Sequence, residues 1–347
     1  MKKKSKLCVI AGAYGLGNLG DEAILQGLLY KLRKDDPCKR MIVFSHEPTE
    51  TMQFHHVAAA RRNLLDLIRS DEVVIGGGEL LGHGMALKFA VLALVVKLLG
   101  KPVKFYSIGA ASNIENRLTR FFTRLALNFA ASEISVRDLL SKRQLKRLGV
   151  KKSISFEKCP SFYIRPAPTE RGQNILEKEG IDINHRPLVG ITFRLTYDSF
   201  KNKEILEFSL NSLRQILKNL RDAQIVFIPF AKHAISPQNL ERDDLFGEWL
   251  GKMLNCNRFR VIRGQYTPSE IMSVIGCLDV EISMRLHPLI FATRMGTLCF
   301  GVNVYGKVVG YSTLLHYEFV ELEDVNKLVR MVNNWSRMSR KNKSVLS

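Results

Sequence analysis

Short apolar runs, most of them closed by a glycine or arginine turn and followed by a helical stretch, recur along the whole chain. Runs at residues 7–12, 41–44, 71–75, 103–110, 133–138, 188–194, 224–230, 258–263, 279–282 and 298–302 read as strands. Alternation of this kind predicts an α/β fold, with parallel sheets covered by helices on both faces. In such sheets ligands bind beyond the carboxyl ends of the strands. The residues just after each run are therefore the first to inspect for chemistry.

The chain has 347 residues, enough for two domains of ordinary size. Pro160, Pro166 and Pro168 crowd one short span and mark a linker. The predicted division is residues 1–165, residues 166–323, and a C-terminal helix with a basic tail, residues 324–347. Val325, Leu328, Val329, Val332 and Trp335 form that helix's apolar face. Arg337, Arg340, Lys341 and Lys343 follow as a tail expected to be disordered or surface-lying.

A net charge of +19 implies an acidic partner: nucleic acid, an anionic membrane surface or phosphorylated substrates. The basic residues are spread out, and neither an aromatic-rich RNA-binding pattern nor a finger-like Cys/His spacing is present. The reading is therefore no nucleic acid, leaving phosphorylated ligand or peripheral contact with anionic membrane. The six cysteines form no C-x-x-C pair, and several lie in apolar runs, so neither a zinc site nor a disulfide framework is expected. That usage fits a reducing cytoplasm. The basic lead Lys2-Lys3-Lys4 precedes an apolar run too short for a signal peptide. The longest apolar stretch, residues 89–99, carries Lys97 and falls short of a bilayer span, so it reads as a buried helix.

Two glycine-rich turns mark the N-terminal half. Gly15, Gly17 and Gly20 match the spacing of a dinucleotide loop. Asp21 and Glu22, however, open the following helix (predicted at residues 23–33) where a pyrophosphate would need positive potential. They read instead as helix-capping acids with a favourable dipole. The loop is then either a tight turn or a backbone platform for an acceptor's hydroxyls, with Gly17, Asn18 and Asp21 as its polar surface. Gly76-Gly77-Gly78 reads as a second such loop, where Gly77 and Gly78 allow close backbone approach. Farther on, Arg117, Arg120 and Arg124 repeat at helical spacing, with Leu118, Phe121, Phe122 and Leu125 on the other side. That is either a solvated basic face or a patch resting on anionic lipid or diphosphate.

In the C-terminal half, Arg194 ends one strand run, and Met284-Arg285-Leu286-His287-Pro288 joins another to a helix. Arg285 and His287 there suit a small phosphorylated or carboxylated substrate, helped by the helix dipole. Alternatively, Arg285 pairs a core acid and His287 caps the helix. Thr267 followed by Pro268 reads as a helix start. Lys307 follows the last strand run and could add a cation or simply be solvated.

Taken in order, Gly15-Leu16-Gly17-Asn18-Leu19-Gly20-Asp21-Glu22, Gly76-Gly77-Gly78-Glu79-Leu80-Leu81, Ser135-Val136-Arg137-Asp138, Val189 to Arg194, and Met284-Arg285-Leu286-His287 with Lys307 resemble the polysaccharide pyruvyl transferase family. The resemblance covers roughly residues 7–335. It implies two Rossmann-like domains facing across a cleft, as in B-type glycosyltransferases. It implies transfer of pyruvate from phosphoenolpyruvate onto two hydroxyls of a sugar, forming a ketal and releasing phosphate. Carried over residue by residue, it assigns phosphoenolpyruvate to Arg194, Arg285, Leu286 and Lys307, with His287 as general acid or phosphate ligand. The acceptor, a polysaccharide or lipid-linked glycan, is expected on Gly17, Asn18, Asp21, Gly77 and Gly78. No metal and no cofactor beyond the donor substrate are expected, and the site of action is the cytoplasm or the inner face of the membrane. The chain departs from the family at Cys159-Pro160, where Asp-Pro is usual. It departs again at Tyr305-Gly306-Lys307, where Tyr-Asp-Pro-Lys is usual. Two further readings stand beside this one: a nucleotide-sugar-dependent glycosyltransferase, and a catalytically degenerate binding protein of the same fold.

Overall fold

A computed structural model describes residues 6–82, 84–110, 116–196, 198–232 and 242–345. The basic lead Lys2-Lys3-Lys4 and the side chains of Lys307, Arg340, Lys341 and Lys343 lie outside the described residues. The chain forms two compact units that part between Ile164 and Arg165.

The first unit is a seven-stranded sheet of order β3-β2-β1-β4-β5-β6-β7. Its strands are β1 (Leu7–Ala11), β2 (Arg40–Phe44), β3 (Ala58–Ala60), β4 (Glu72–Leu81), β5 (Val103–Ala110), β6 (Ala131–Val136) and β7 (Ser155–Phe156). The second is a six-stranded sheet of order β10-β9-β8-β11-β12-β13. It comprises β8 (Leu188–Thr192), β9 (Gln224–Phe227), β10 (Phe259–Val261), β11 (Val280–Ser283), β12 (Leu298–Val302) and β13 (Glu318–Val320). All described pairings are parallel. Central strands such as β1 and β8 are buried at every residue, as expected when helices cover both faces. In each sheet the chain runs outward one way from its first strand and then the other way, which creates a switch point at β1/β4 and at β8/β11.

In the first unit, Cys8, Ile10 and Val74 pack against Ile24, Leu25 and Leu28 of the helix Leu19–Asp35. Val9, Ala11, Val73 and Ile75 face the other way, onto Phe89 and Ala93 of the helix Ala86–Leu98. In the second, the helices Ser199–Asn219 and Asp243–Leu254 cover one face of the sheet. They are joined there by the C-terminal helix Val325–Val345, which buries Leu328, Val329 and Val332. That helix continues through Val345, so the backbone of the expected tail is helical. Asn and Asp residues at the strand-to-helix turns cap several helices: Asn18, Asn116, Asp138 and Asp198 each accept a first-turn amide. Thr267 and Glu270 form a reciprocal capping box. Among the described residues no helix is long and apolar enough to cross a membrane.

Three local expectations change. The first helix begins at Leu19 rather than residue 23, because Asn18 caps it by accepting the Gly20 N–H at 3.0 Å. The Gly76-Gly77-Gly78 run is not a loop: β4 continues through it to Leu81, with a register shift against β5. Pro160–Tyr163 is a 3₁₀ turn packed on the first helix, so a Cβ at Gly27 would fall 1.8 Å from the Pro160 carbonyl oxygen.

Gly77 combines two constraints, a φ of +69° and a Cβ position 1.8 Å from Ile24 Cγ2. Gly100 has a φ of +73° with open space around it. Gly100→Ala is predicted to cost about 1–2 kcal/mol from backbone strain alone. Gly77→Ala should exceed that by about 1–3 kcal/mol from overpacking. Urea unfolding midpoints of the two variants make the comparison; equal losses would mean the helix yields at Ile24.

Candidate functional site

The second unit places its basic residues at the β8/β11 switch point. Thr192 and Ser283 are register partners, and the Met284 N–H bonds back to the Thr192 carbonyl at 2.9 Å. Arg194 and Arg285 each follow two residues later, at the same sheet edge. The Ser283 hydroxyl shapes the turn: it accepts the Arg285 N–H at 2.9 Å and donates to the Arg285 carbonyl at 2.8 Å. Arg285 is the extended N-cap residue of the helix Leu286–Met295, and its side chain makes no capping bond. Leu286 is buried and His287 half-buried in that turn. Arg194 is also half-buried, with its Nε donating to the Leu195 carbonyl at 3.1 Å.

Arg285 has a core partner that sequence reading left unidentified. Its Nε and Nη2 donate to the two carboxylate oxygens of Asp243, each at 2.7 Å. Asp243 is fully buried, and its Oδ2 also accepts the N–H groups of Phe230 and Ala231 at 3.0 Å. It opens the helix Asp243–Leu254, where a carboxylate is favoured by the dipole. The bidentate pair fixes the guanidinium and offsets much of its charge. The alternative of Arg285 pairing a core acid therefore describes its contacts. His287 is not the cap; Arg285 holds that position.

At the next strand, Gly306 caps the helix Lys307–Leu315 with a φ of +74°. Its N–H donates to Asn303 Oδ1 at 2.7 Å. A proline there would be impossible, so the shortened loop closes through glycine. Lys307 is the first residue of that helix, at the same sheet edge. Tyr305 lies beneath Lys201, whose Nζ sits 5.0 Å from the ring.

Beneath this edge Glu281 is buried in β11. Its Oε1 accepts from the Thr192 hydroxyl at 2.9 Å, and its Oε2 has no partner among the described residues. Burial pushes its carboxyl up to about 8, only partly opposed by the Thr192 hydrogen bond. Gly190 makes the space: a Cβ there would stand 2.1 Å from Glu281 Oε2.

In the first unit, the β1/β4 switch point gathers the residues expected for an acceptor. Gly15 and Gly17 both have φ of +70°, and Asn18 caps the helix. Asp21 Oδ1 lies 3.3 Å from the Cβ position of Gly78. Gly77 and Gly78 let β4 approach the first helix turn. Glu22 is internal rather than a cap: it accepts the Gly15 N–H at 2.8 Å and contacts buried His55 Nε2 at 2.7 Å. Tyr14 hydrogen-bonds the Gly76 carbonyl and ties the loop to β4.

Two groups at this edge were not assigned from sequence. Arg137, after β6, lies 3.7 Å from Glu79 Oε2 and 3.5 Å from Asp138 Oδ2. A strand ending in Arg, as at Arg194, was its signal. His46, Arg61, Arg62 and Lys88 gather beyond β2 and β3. Partial burial holds the His46 pKa down, and the cations Arg62, Lys88 and Arg61 add to it. Nothing in the linear spacing joins these four. Among the described residues no group of three His, Cys, Asp or Glu is arranged to hold a metal ion.

The profile of polysaccharide pyruvyl transferases matches residues 18–304, most of the chain. The chain belongs to that family. The matched span contains Arg194, Arg285, Leu286 and His287 and ends just before Lys307. No curated protein sequence matches this family member. Solved structures similar to it carry the same two-sheet fold. Anabaena Alr3699/HepE in complex with UDP and glucose aligns at TM-score 0.65 and 12% identity, over 97% of this chain and 91% of that one. The UDP-GlcNAc 2-epimerase from Methanocaldococcus jannaschii aligns at 0.58 and 14% identity, over 94% and 92%. E. coli ADP-heptose lps heptosyltransferase II aligns at 0.53 and 11% identity, over 96% and 99%. The fold is thus GT-B-like, shared by glycosyltransferases and epimerases.

Arg285→Ala in this pyruvyl transferase family member is predicted to destabilise the second unit by about 3–5 kcal/mol, because it strands a buried carboxylate. Asp243→Asn should cost less, and chemical denaturation ranks the two. Glu281 gives a pH dependence of known sign. Below about pH 4.5 the carboxyl is neutral folded or unfolded, and nothing is lost; between there and about pH 8 only the unfolded chain ionises, so stability falls as pH rises. Glu281→Gln should therefore show a flatter melting profile across that window and be relatively more stable at its upper end. A parallel profile would mean the carboxyl ionises freely in the folded state.

Proposed function

We propose that the protein transfers the pyruvyl group of phosphoenolpyruvate to two hydroxyls of a glycan, forming a ketal and releasing phosphate. The observation that carries this reading is the placement of Arg194, Arg285 and His287 on adjacent turns at the second sheet's switch point, in a chain of the pyruvyl transferase family. The donor bears a phosphate and a carboxylate. Arg194, the helix start and Lys307 supply the attraction, and Arg285 supplies a fixed donor edge. In the first step a proton is delivered to the enol methylene carbon, and a sugar hydroxyl oxygen bonds to the neighbouring carbon as it loses its own proton. In the second step the other hydroxyl oxygen bonds to that carbon as the C–O bond to phosphate breaks, and the hydroxyl's proton leaves with the phosphate. His287 has the side-chain type suited to the first proton transfer near neutral pH. No metal or organic cofactor is needed for either step. Gly17, Asn18, Asp21, Gly77 and Gly78 would receive the acceptor, and the cations near His46 favour one carrying diphosphate, as a lipid-linked glycan does. Action in the cytoplasm, at the inner membrane face, follows from that acceptor.

Acceptor-dependent phosphate release from phosphoenolpyruvate tests the reading. Release of a nucleoside diphosphate from a sugar nucleotide would replace it with glycosyl transfer. Tight donor binding with no turnover on any glycan would favour a degenerate binding protein, for which the altered Gly306 turn is the motive. Since Arg285→Ala also perturbs the core, Arg194→Ala is the cleaner donor-site variant. It is expected to weaken phosphoenolpyruvate binding about 10–100-fold, the worth of a charged hydrogen bond. His287→Ala should lower kcat about 10²–10⁴-fold with KM little changed if it moves a proton. A rise in KM at constant kcat would make it a phosphate ligand instead.

A further inference from the structure

The helix Arg117–Leu125 and the π-helical turn Ala126–Ala130 that continues it are packed the wrong way round for an ordinary surface helix. The buried stripe is small or polar: Thr119, Thr123, Ala126 and Ala130, with Leu127. Phe122 packs partly against the core, but three other large apolar residues point outward, with Leu118 60% exposed, Phe121 50% and Phe129 57%. Together with Leu125 they fall at positions i, i+3, i+7 and i+11, one continuous stripe along the helix. Arg117, Arg120 and Arg124 form an exposed stripe beside it. The helix Ala86–Leu98 packs alongside and adds Leu98, which is 83% exposed. Lys97 Nζ lies 5.8 Å from the Phe129 ring and ties the two surfaces together.

We infer that this face of the first unit is a docking surface for an anionic lipid bilayer, lying in the headgroup layer rather than crossing it. Charge selects the occupant. Neither helix carries an Asp or Glu, and the whole chain has a net charge of +19. An apolar stripe with aromatic residues, bordered by arginines, matches the layering of an anionic bilayer, where acyl carbon lies under phosphate. A second copy of this chain would bring the same arginines face to face. The surface stands independently of the pyruvyl-transfer reading, since no residue on it belongs to either switch point.

The full-length protein is tested by co-sedimentation with phosphatidylcholine vesicles, with and without about 30% phosphatidylglycerol. Binding is expected only with phosphatidylglycerol and should weaken as salt rises. Phe121→Ser with Phe129→Ser should lower affinity at least tenfold while the circular dichroism spectrum of the folded protein is retained, since each side chain is half exposed and lies outside the core. Arg117→Gln, Arg120→Gln and Arg124→Gln together should lower it about fivefold per arginine. A control triple on the second unit, Arg214→Gln, Lys218→Gln and Arg221→Gln, removes the same charge and should leave binding within about twofold. The inference is overturned by absence of phosphatidylglycerol-dependent binding, or by a control triple as damaging as the arginine triple. It is also overturned if the phenylalanine variant turns a dimer into a monomer without changing vesicle binding. Phosphate release with a water-soluble acceptor should be the same in all variants, so loss of docking and loss of the proposed activity remain separable.

Discussion

Parallel strand pairing is the constraint from which the rest of the structure follows. A parallel pair cannot close through a hairpin; each strand must return through a crossover, here a helix in most cases. Every strand-to-helix turn of a sheet therefore lies at one edge, and every helix of those crossovers presents its N-terminus there. Residues as distant in sequence as Thr192 and Ser283 become register partners because β8 and β11 pair directly, which brings the turns bearing Arg194 and Arg285 to one edge. The same rule gathers Asn18 and Asp21 with Gly77 and Gly78 in the first unit. Chemistry at these edges depends on which side chains occupy the turns, and the sheets supply the common geometry.

The contact between Arg285 and Asp243 shows how such an edge is made rigid. Asp243 receives two backbone amides and two guanidinium nitrogens, so the turn after β9, the start of one helix and the cap of another share one buried carboxylate. The arginine is held in a single orientation, and part of its field is spent internally. An anion at this edge would therefore meet Arg285 as a fixed, partly neutralised group rather than as a free cation.

Much of the fold was legible because buried parallel strands are short, apolar and bounded by turns. β1, β2, β5, β6, β8, β9, β11 and β12 stood out on that basis. β3, β7 and β13 did not, since a short edge pairing over Ala58–Ala60, Ser155–Phe156 or Glu318–Val320 carries little apolar signal. The three glycines of β4 read as a loop because glycine is rare inside strands; the close approach of the first helix, tightest at Ile24 against Gly77, is visible only in the tertiary structure. The turn motifs around Arg194, Arg285 and Asn18 were visible as residues that follow strands. Asp243 was not, because an acid opening a helix looks like an ordinary dipole partner, and its bond to Arg285 spans 42 residues. Helical periodicity showed that the helix from Arg117 is two-sided, but two sides alone do not say which is inside. Thr and Ala won the interior there because the neighbouring helix comes close.

Gly190 and Glu281 occupy one volume between two strands, and neither can be understood alone. Any side chain on β8 at residue 190 would displace the carboxyl, while a smaller residue at 281 would leave a hole walled by the missing Cβ. A designer wishing to replace this ionisable group with hydrocarbon would have to exchange both positions in one step, moving bulk from one backbone to its neighbour. Single-site scanning with apolar residues would find each position intolerant and miss the joint solution.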